Sequence, residues 1–253
     1  PHPGRHGPAG GREVSHCPEV LLAFPCYGNP HPGAARSVWQ TATRSRRVAV
    51  FEGHRASLLA CGFNMAWCRA LGLRGGGLAH FAMLHSDIEP EPWWLDLLLA
   101  EAQKHDLDIL SAVAPIKDGR GLTSTGIAGP DPFTPLRRLT TAEVAALPAT
   151  FTAADTAWPD RPLLVNTGCM VVRMRPDSHL AHFEVRDRIR ETPGGWVAES
   201  CSEDWGLSLR AAELGWRVGA TTAVRLAHYG EGEITNVGAW GTCATDPDAF
   251  RPD

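Results

Sequence analysis

The run from Leu78 to Leu84 (LAHFAML) is almost wholly apolar and stops abruptly on His85-Ser86-Asp87. A segment this short and this greasy reads as a strand buried on both faces, the pattern of a parallel sheet covered by helices. Comparable runs occur at Val20–Phe24 (VLLAF), Arg47–Phe51 (RVAVF) and Asp108–Ala114 (DILSAVA). Another spans Leu163–Val172 and is interrupted by Asn166-Thr167-Gly168. Two short ones, Trp216–Ala220 and Val224–His228, come late in the chain. Strands alternating with helices at this spacing argue for βαβ units.

Helical patterns separate these strands. From Ser57 to Leu71, Leu59, Phe63, Trp67 and Leu71 recur every four positions, Leu58, Ala66 and Ala70 widen the stripe, and Ser57 is placed as the cap. Pro90 and Pro92 are expected to open the next helix, with Trp93, Trp94, Leu97 and Leu98 facing the sheet. Ser202–Leu214 reads as a helix ended by Gly215. Between Lys117 and Pro162 the pattern weakens into Gly, Pro and Thr, and only Thr140–Leu147 looks helical, with Thr140 and Glu143 at capping-box spacing. That long irregular stretch is expected to be mobile and to lie on a substrate-binding side. The expected architecture is one α/β domain, a mostly parallel Rossmann-like sheet flanked by helices over residues 19–231. Residues 1–18 are expected to be a disordered arm and 232–253 a tail.

Composition narrows the setting. The net charge is −4, so the chain as a whole offers no attraction to nucleic acid or an anionic membrane. Local basic clusters (Arg44, Arg46 and Arg47; Arg137-Arg138; Arg186, Arg188 and Arg190) read as solvated faces. Seven cysteines, an odd number with no C-x-x-C, fit a reducing compartment better than a disulfide framework, so a cytoplasmic location is expected. No run approaches the ~18 apolar residues of a membrane span, and the opening PHPGRHGPAGGREVSHCPE has no apolar signal core.

In open α/β sheets, ligands bind beyond the C-terminal ends of the strands, and Asp87 sits at such an end. A hard carboxylate there can hold a divalent cation, and the cation a diphosphate. The competing reading is that Asp87 caps the following helix. His85 and Glu89 flank it as further candidate ligands. Glu203-Asp204 opens a helix, where acidic residues are favoured by the macrodipole alone, and His228 ends the last strand without any zinc-type spacing.

Taken in order, these residues resemble a GT-A glycosyltransferase of the branch related to the large inverting glycosyltransferase family two. Phe24-Pro25-Cys26-Tyr27-Gly28 is similar to the first-strand exit that cradles the donor nucleotide. His85-Ser86-Asp87 occupies the place of the D-x-D motif. Asn166-Thr167-Gly168-Cys169-Met170 with Arg173 resembles the family's N-T-G segment. Ser202-Glu203-Asp204, Leu214-Gly215-Trp216 and Leu226-Ala227-His228-Tyr229-Gly230 resemble its E-D helix, E-L-G turn and metal-binding histidine. The resemblance spans Val20 to Gly230 and departs where His85 replaces the first Asp of D-x-D.

The resemblance implies a metal-dependent transfer of a sugar from a UDP- or GDP-linked donor to an acceptor hydroxyl, with inversion. It implies Asp204 as general base with Glu203 beside it, and Asp87, His228 and His85 toward Mn²⁺ or Mg²⁺, an imidazole ligand favouring Mn²⁺. Pro25, Cys26, Tyr27, Gly28, Glu52, Asn64, Ser86 and Gly168 are the candidate donor contacts. Trp205 is either core or an acceptor-stacking platform. The acceptor is left open among a glycan, a small molecule and a hydroxymethylated base of phage DNA, the last calling on the arginine clusters for phosphate contacts. Two other classes are weighed. A nucleotidyltransferase would usually show a Gly-rich loop with Arg and Lys where this chain has CYGNPHPG, and a non-catalytic glycan-binding module would not need Glu203, Asp204 and His228 together.

Overall fold

Alternation along the first strand, β1 (Val20–Pro25), sends Val20, Leu22 and Phe24 into one apolar cluster and Leu21 and Ala23 into another. The sheet is therefore covered on both faces, as the unbroken apolar run requires. The computed structural model describes residues 17–26, 28–44, 47–53, 58–230 and 233–241, without the side chains at 52, 53 and 233. Tyr27, Ser57, Arg46, Cys243, the side chain of Glu52 and most of the expected arm and tail lie outside the described residues.

After β1 come α1 (Pro32–Arg44), β2 (Val48–Gly53), α2 (Leu59–Arg74), β3 (His80–Leu84), β4 (Ile88–Pro90), α3 (Trp94–Lys104) and β5 (Ile109–Ala112). The middle of the chain forms β6 (Leu122–Ile127), β7 (Arg137–Thr140), α4 (Thr141–Ala145), β8 (Thr150–Thr152), β9 (Leu163–Leu164) and β10 (Cys169–Arg173). The last part forms β11 (Arg186–Thr192), β12 (Gly195–Cys201), α5 (Glu203–Glu213), β13 (Val218–Thr221), β14 (Leu226–Tyr229) and β15 (Glu233–Thr235). The main sheet has seven strands in the order β2-β1-β3-β10-β5-β13-β8. Five of them run one way, while β10 and the edge strand β8 run against them, so the sheet is mixed. Residues of α1 and α3 pack into one apolar cluster and residues of α2 and α5 into the other. No helix among the described residues is long and apolar enough to cross a membrane.

Several local expectations change. A helix, α1, occupies ground that read only as turns. Its buried positions are Gly33, Ala34, Ser37 and Val38, mostly too small or polar to write an apolar stripe, while Trp39 points to solvent. Pro90 belongs to β4 rather than to a helix, and α3 starts only at Trp94. Trp93 adopts a left-handed conformation (φ 70°) outside the sheet contact, under the guanidinium of Arg44 at 4.1 Å, and Leu95 takes the buried place expected of it. In α2, Phe63, Ala66, Trp67 and Ala70 are buried, whereas Leu59 and the preceding Leu58 are exposed.

The stretch from Lys117 to Pro162 is more regular than its composition implies. It supplies β6 and β7, which form a three-stranded sheet with β9, and β8, which edges the main sheet. The capping box at Thr140 is present: Glu143 N–H donates to Thr140 Oγ1 at 3.1 Å and Thr140 N–H to Glu143 Oε2 at 2.8 Å. The three arginines at 186, 188 and 190 lie on alternate positions of β11 in a hairpin with β12. Residues 233–241, expected as tail, are packed back onto the fold: the Asn236 amide donates to the carbonyls of Val113 and Val224, and Trp240 N–H donates to Thr141 Oγ1.

Candidate functional site

The reversed strand β10 builds the site. Because β10 runs antiparallel to β3, Cys169 pairs with Leu84, and the chain entering β10 lies beside the chain leaving β3. His85 N–H donates to Gly168 O at 2.8 Å across that junction. The N-T-G turn divides its labour. Asn166 holds the turn, its amide donating to Ala112 O and accepting from Gly168 N–H. Thr167 faces α5. Gly168 lies close under Ile88, since a Cβ there would fall 2.5 Å from Ile88 Cδ1 and push that side-chain tip aside.

A second small sheet brings in the histidine. β14 pairs antiparallel with β4, setting His228 opposite Ile88, and Tyr229 N–H donates to Asp87 O at 2.9 Å. The capping reading of Asp87 falls away, since Asp87 leads into a strand and the next helix begins at Trp94. His228 Nε2 lies 3.5 Å from Asp87 Oδ2. Its Nδ1 lies 2.8 Å from Pro115 O. A carbonyl only accepts, so Nδ1 carries a proton and donates to Pro115 O. Lys117 Nζ stands 2.5 Å from the same Oδ2. Burial works to raise the pKa of Asp87, but His228 and Lys117 outweigh it and hold the carboxyl well below the usual range.

On the other side, Asp204 Oδ1 accepts from Thr167 N–H at 3.1 Å and from the Thr167 hydroxyl in a short bond. Thr167 Oγ1 lies 3.3 Å from His85 Nε2. With the threonine proton given to the carboxylate, His85 Nε2–H must be the donor to Oγ1, forming the chain His85–Thr167–Asp204. Burial pulls the pKa of His85 down to about 4, so the ring is neutral near pH 7. Burial likewise raises Asp204, partly offset by the Thr167 bonds, and raises Glu203, with the neighbouring Asp204 charge adding to it. Both carboxylates lie in the first turn of α5, where the helix dipole favours negative charge.

The structure thus brings Asp87 and His228 together, and Glu203, Asp204 and His85 together, His85 being turned to Thr167 rather than presented as a third metal ligand. Glu89 points away, bonded to Arg36 and to the Tyr229 hydroxyl. Pro25 closes β1, Cys26 follows it and Gly28 lies in a bend, and Ser86 O accepts from His31 N–H at 2.7 Å. Asn64 is committed elsewhere: its amide donates to Phe183 O at 2.7 Å and accepts from Phe183 N–H at 2.9 Å. Trp205 packs into the core: it is buried, its indole N–H donates to Ser124 O, and the Arg138 guanidinium covers its ring at 4.4 Å.

Sequence reading missed Lys117, Pro115 and the role of Thr167. The N-T-G spacing could have found Thr167, but a lone lysine in a Gly-rich segment carries no pattern. The arginines of β11 are tied down, Arg186 to Glu184, Arg188 to Glu199 and Asp131, and Arg190 to Glu199. A cavity of about 220 Å³ shares Pro115 with the site but is lined by none of its carboxylates.

Asp87 and His228 suit an ion that draws its remaining ligands from a diphosphate and water, the usual habit of small divalent cations at phosphate sites. Among the described residues no three His, Cys, Asp or Glu side chains group to hold a metal by themselves.

No protein-family model and no curated protein matches the chain. Among solved structures, the crystal structure of A197 from STIV is similar with a TM-score of 0.50 and 13% identity, over 83% of this chain and 85% of that one. At that identity the likeness shows a shared α/β fold.

Proposed function

We propose that the chain is a metal-dependent inverting glycosyltransferase of GT-A type, moving a sugar from a UDP- or GDP-linked donor to an acceptor hydroxyl. One observation carries this reading. A carboxylate held by Lys117 and His228 (Asp87) and a desolvated carboxylate pair (Glu203, Asp204) lie at one end of the same sheet, joined through His85 and Thr167.

Glycosyl transfer breaks the anomeric C–O bond through an oxocarbenium-like state, as glycoside hydrolysis does. The leaving diphosphate gains negative charge, and the acceptor hydroxyl loses a proton on the opposite face. Asp87 and His228 would hold a divalent ion at the first of these, and Pro115 fixes the ring that would ligate it. When bound, such an ion supplies Lewis-acid stabilisation of the departing phosphate. Imidazole in the ligand set favours Mn²⁺. Asp204 takes the acceptor's proton. Thr167 fixes Oδ1, and among the described residues nothing bonds Oδ2, which is therefore presented to the acceptor. A base raised toward neutrality is better matched to a hydroxyl than an ordinary aspartate.

The donor's nucleoside would lie against Pro25, Cys26 and Gly28, beside Ser86. The ion-paired arginines of β11 argue for a glycan or small-molecule acceptor over DNA, since phosphate contacts would have to compete with Glu184, Glu199 and Asp131. Six cysteines among the described residues are free, which suits a cytoplasmic setting.

The test is release of UDP or GDP from a panel of nucleotide sugars, with Mn²⁺ and with EDTA, plus and minus simple sugar acceptors. Mn²⁺-dependent release from at least one donor is expected. Silence with every donor would sink the reading.

A further inference from the structure

The segment from Pro115 to Lys117 meets the candidate donor site twice. Its carbonyl at Pro115 orients His228, and its ammonium at Lys117 sits on Asp87 Oδ2. The lysine stem lies against Gly230, where a Cβ would come within 3.1 Å of Lys117 Cδ and 3.2 Å of its Cβ. The side chain is therefore seated in a slot that a larger residue at 230 would fill. At 2.5 Å, Nζ is bonded to Oδ2, the oxygen that also faces His228 Nε2, and two cations on one oxygen repel. Lys117 remains partly exposed, with 39% of its side-chain surface open, so it can swing without unpacking the core.

We propose that Lys117 is a further residue of the donor site, whose ammonium holds the cation position on Asp87 until a divalent ion displaces it and then passes to a phosphate oxygen of the donor. The inference deepens the glycosyltransferase reading and rests on it for the identity of the anion. A lysine is suited to this exchange because it is a point charge on a flexible stem with three donors, equally able to meet a carboxylate or a phosphate. Metal and lysine then cooperate: the ion takes Asp87 and His228, and the released ammonium supplies a second positive charge to the diphosphate. No bond is made or broken in the exchange.

The experiment measures Mn²⁺ binding to the protein alone, without donor, by electron paramagnetic resonance of the free ion. Lys117→Met, which removes the competitor, should bind Mn²⁺ about tenfold or more tighter than wild type. Lys117→Arg should stay near wild type, and Asp87→Asn should abolish the gain when combined with Lys117→Met. Lys104→Met, which removes a lysine paired with Glu101 on α3, controls for the lost charge and should leave binding unchanged. With Mn²⁺ saturating, Lys117→Met should bind inorganic pyrophosphate about tenfold more weakly. Equal or weaker Mn²⁺ binding by Lys117→Met, or no Mn²⁺ binding by any variant, overturns the exchange. Unchanged pyrophosphate affinity overturns the phosphate role. These readouts need no sugar transfer, so a tighter Lys117→Met in a protein that uses no nucleotide sugar would defeat the glycosyltransferase reading alone.

Discussion

The two halves of the site use the same functional group under opposite electrostatics. Around Asp87, a lysine and a histidine hold the carboxylate ionised far into acid. Around Glu203 and Asp204, burial pushes both carboxyls toward the neutral form, and the Thr167 bonds are the largest restraint on Asp204. Surroundings rather than residue type make the difference, as where two carboxylates divide the roles of ion holder and proton acceptor. The difference also shows which half is robust. Asp87 stays charged well into acid, whereas the α5 pair is pushed toward the neutral form and leans on hydrogen bonds for its charge.

The sharpest way to break this contrast is Asp204→Asn. It should leave nucleotide-sugar affinity intact by calorimetry yet lower transfer by on the order of 10²–10⁴-fold, the usual loss of a positioned base. Near wild-type transfer would move the base to Glu203. Asp87→Asn should fail differently, losing Mn²⁺ and donor binding together with turnover, by roughly 10²-fold or more. If its donor affinity survives, the two halves are not divided as proposed.

Thr167→Val sharpens the contrast with a smaller effect. A hydrogen bond to the charged form favours that form, so its loss raises the pKa of Asp204 further. The acidic limb of the pH–rate profile should therefore move to higher pH, with activity recovering in alkali. An unmoved limb would mean that Thr167 does not tune the base.

Stability against pH gives the smallest and cleanest signal. The raised folded-state pKa of Glu203 means that ionising it opposes folding, a cost absent below the ordinary Glu value of ~4.3 and present at neutral pH. Glu203→Gln should thus raise Tm at pH 7, with the gain shrinking toward pH 4. Asp87 has the opposite sign. Its depressed folded-state pKa contributes stability above the ordinary Asp value of ~3.9, lost as pH falls below it. Asp87→Asn should lower Tm at pH 7 and converge on wild type in acid. Parallel pH curves for the two variants would erase the distinction.

Much of this was legible in the chain and some was not, for identifiable reasons. The buried strands were readable because a two-sided sheet demands unbroken apolar runs, and the Thr140 capping box because it is local. Helix α1 was hidden because its core side is small, and the β11–β12 hairpin because its alternating arginines read as a charge cluster. Asp87, Glu203, Asp204 and His228 could be singled out by their places at element ends. What brings them together is the reversal of β10 and the β4–β14 pairing, and such long-range strand pairing leaves no local signature. Trp205 and Asn64 looked functional because residue type alone cannot tell a satisfied interior group from an open one.

Gly168 works as a feeler gauge between the halves. Ile88, one residue past Asp87, occupies the space where its side chain would be, and Thr167, one residue before it, grips Asp204. The spacing between the Asp87 side and the Asp204 side is thereby kept by a missing methyl group. Gly168→Ala would press first on the tip of Ile88, so the spacing between Asp87 and Asp204 answers to a position that carries no chemistry at all.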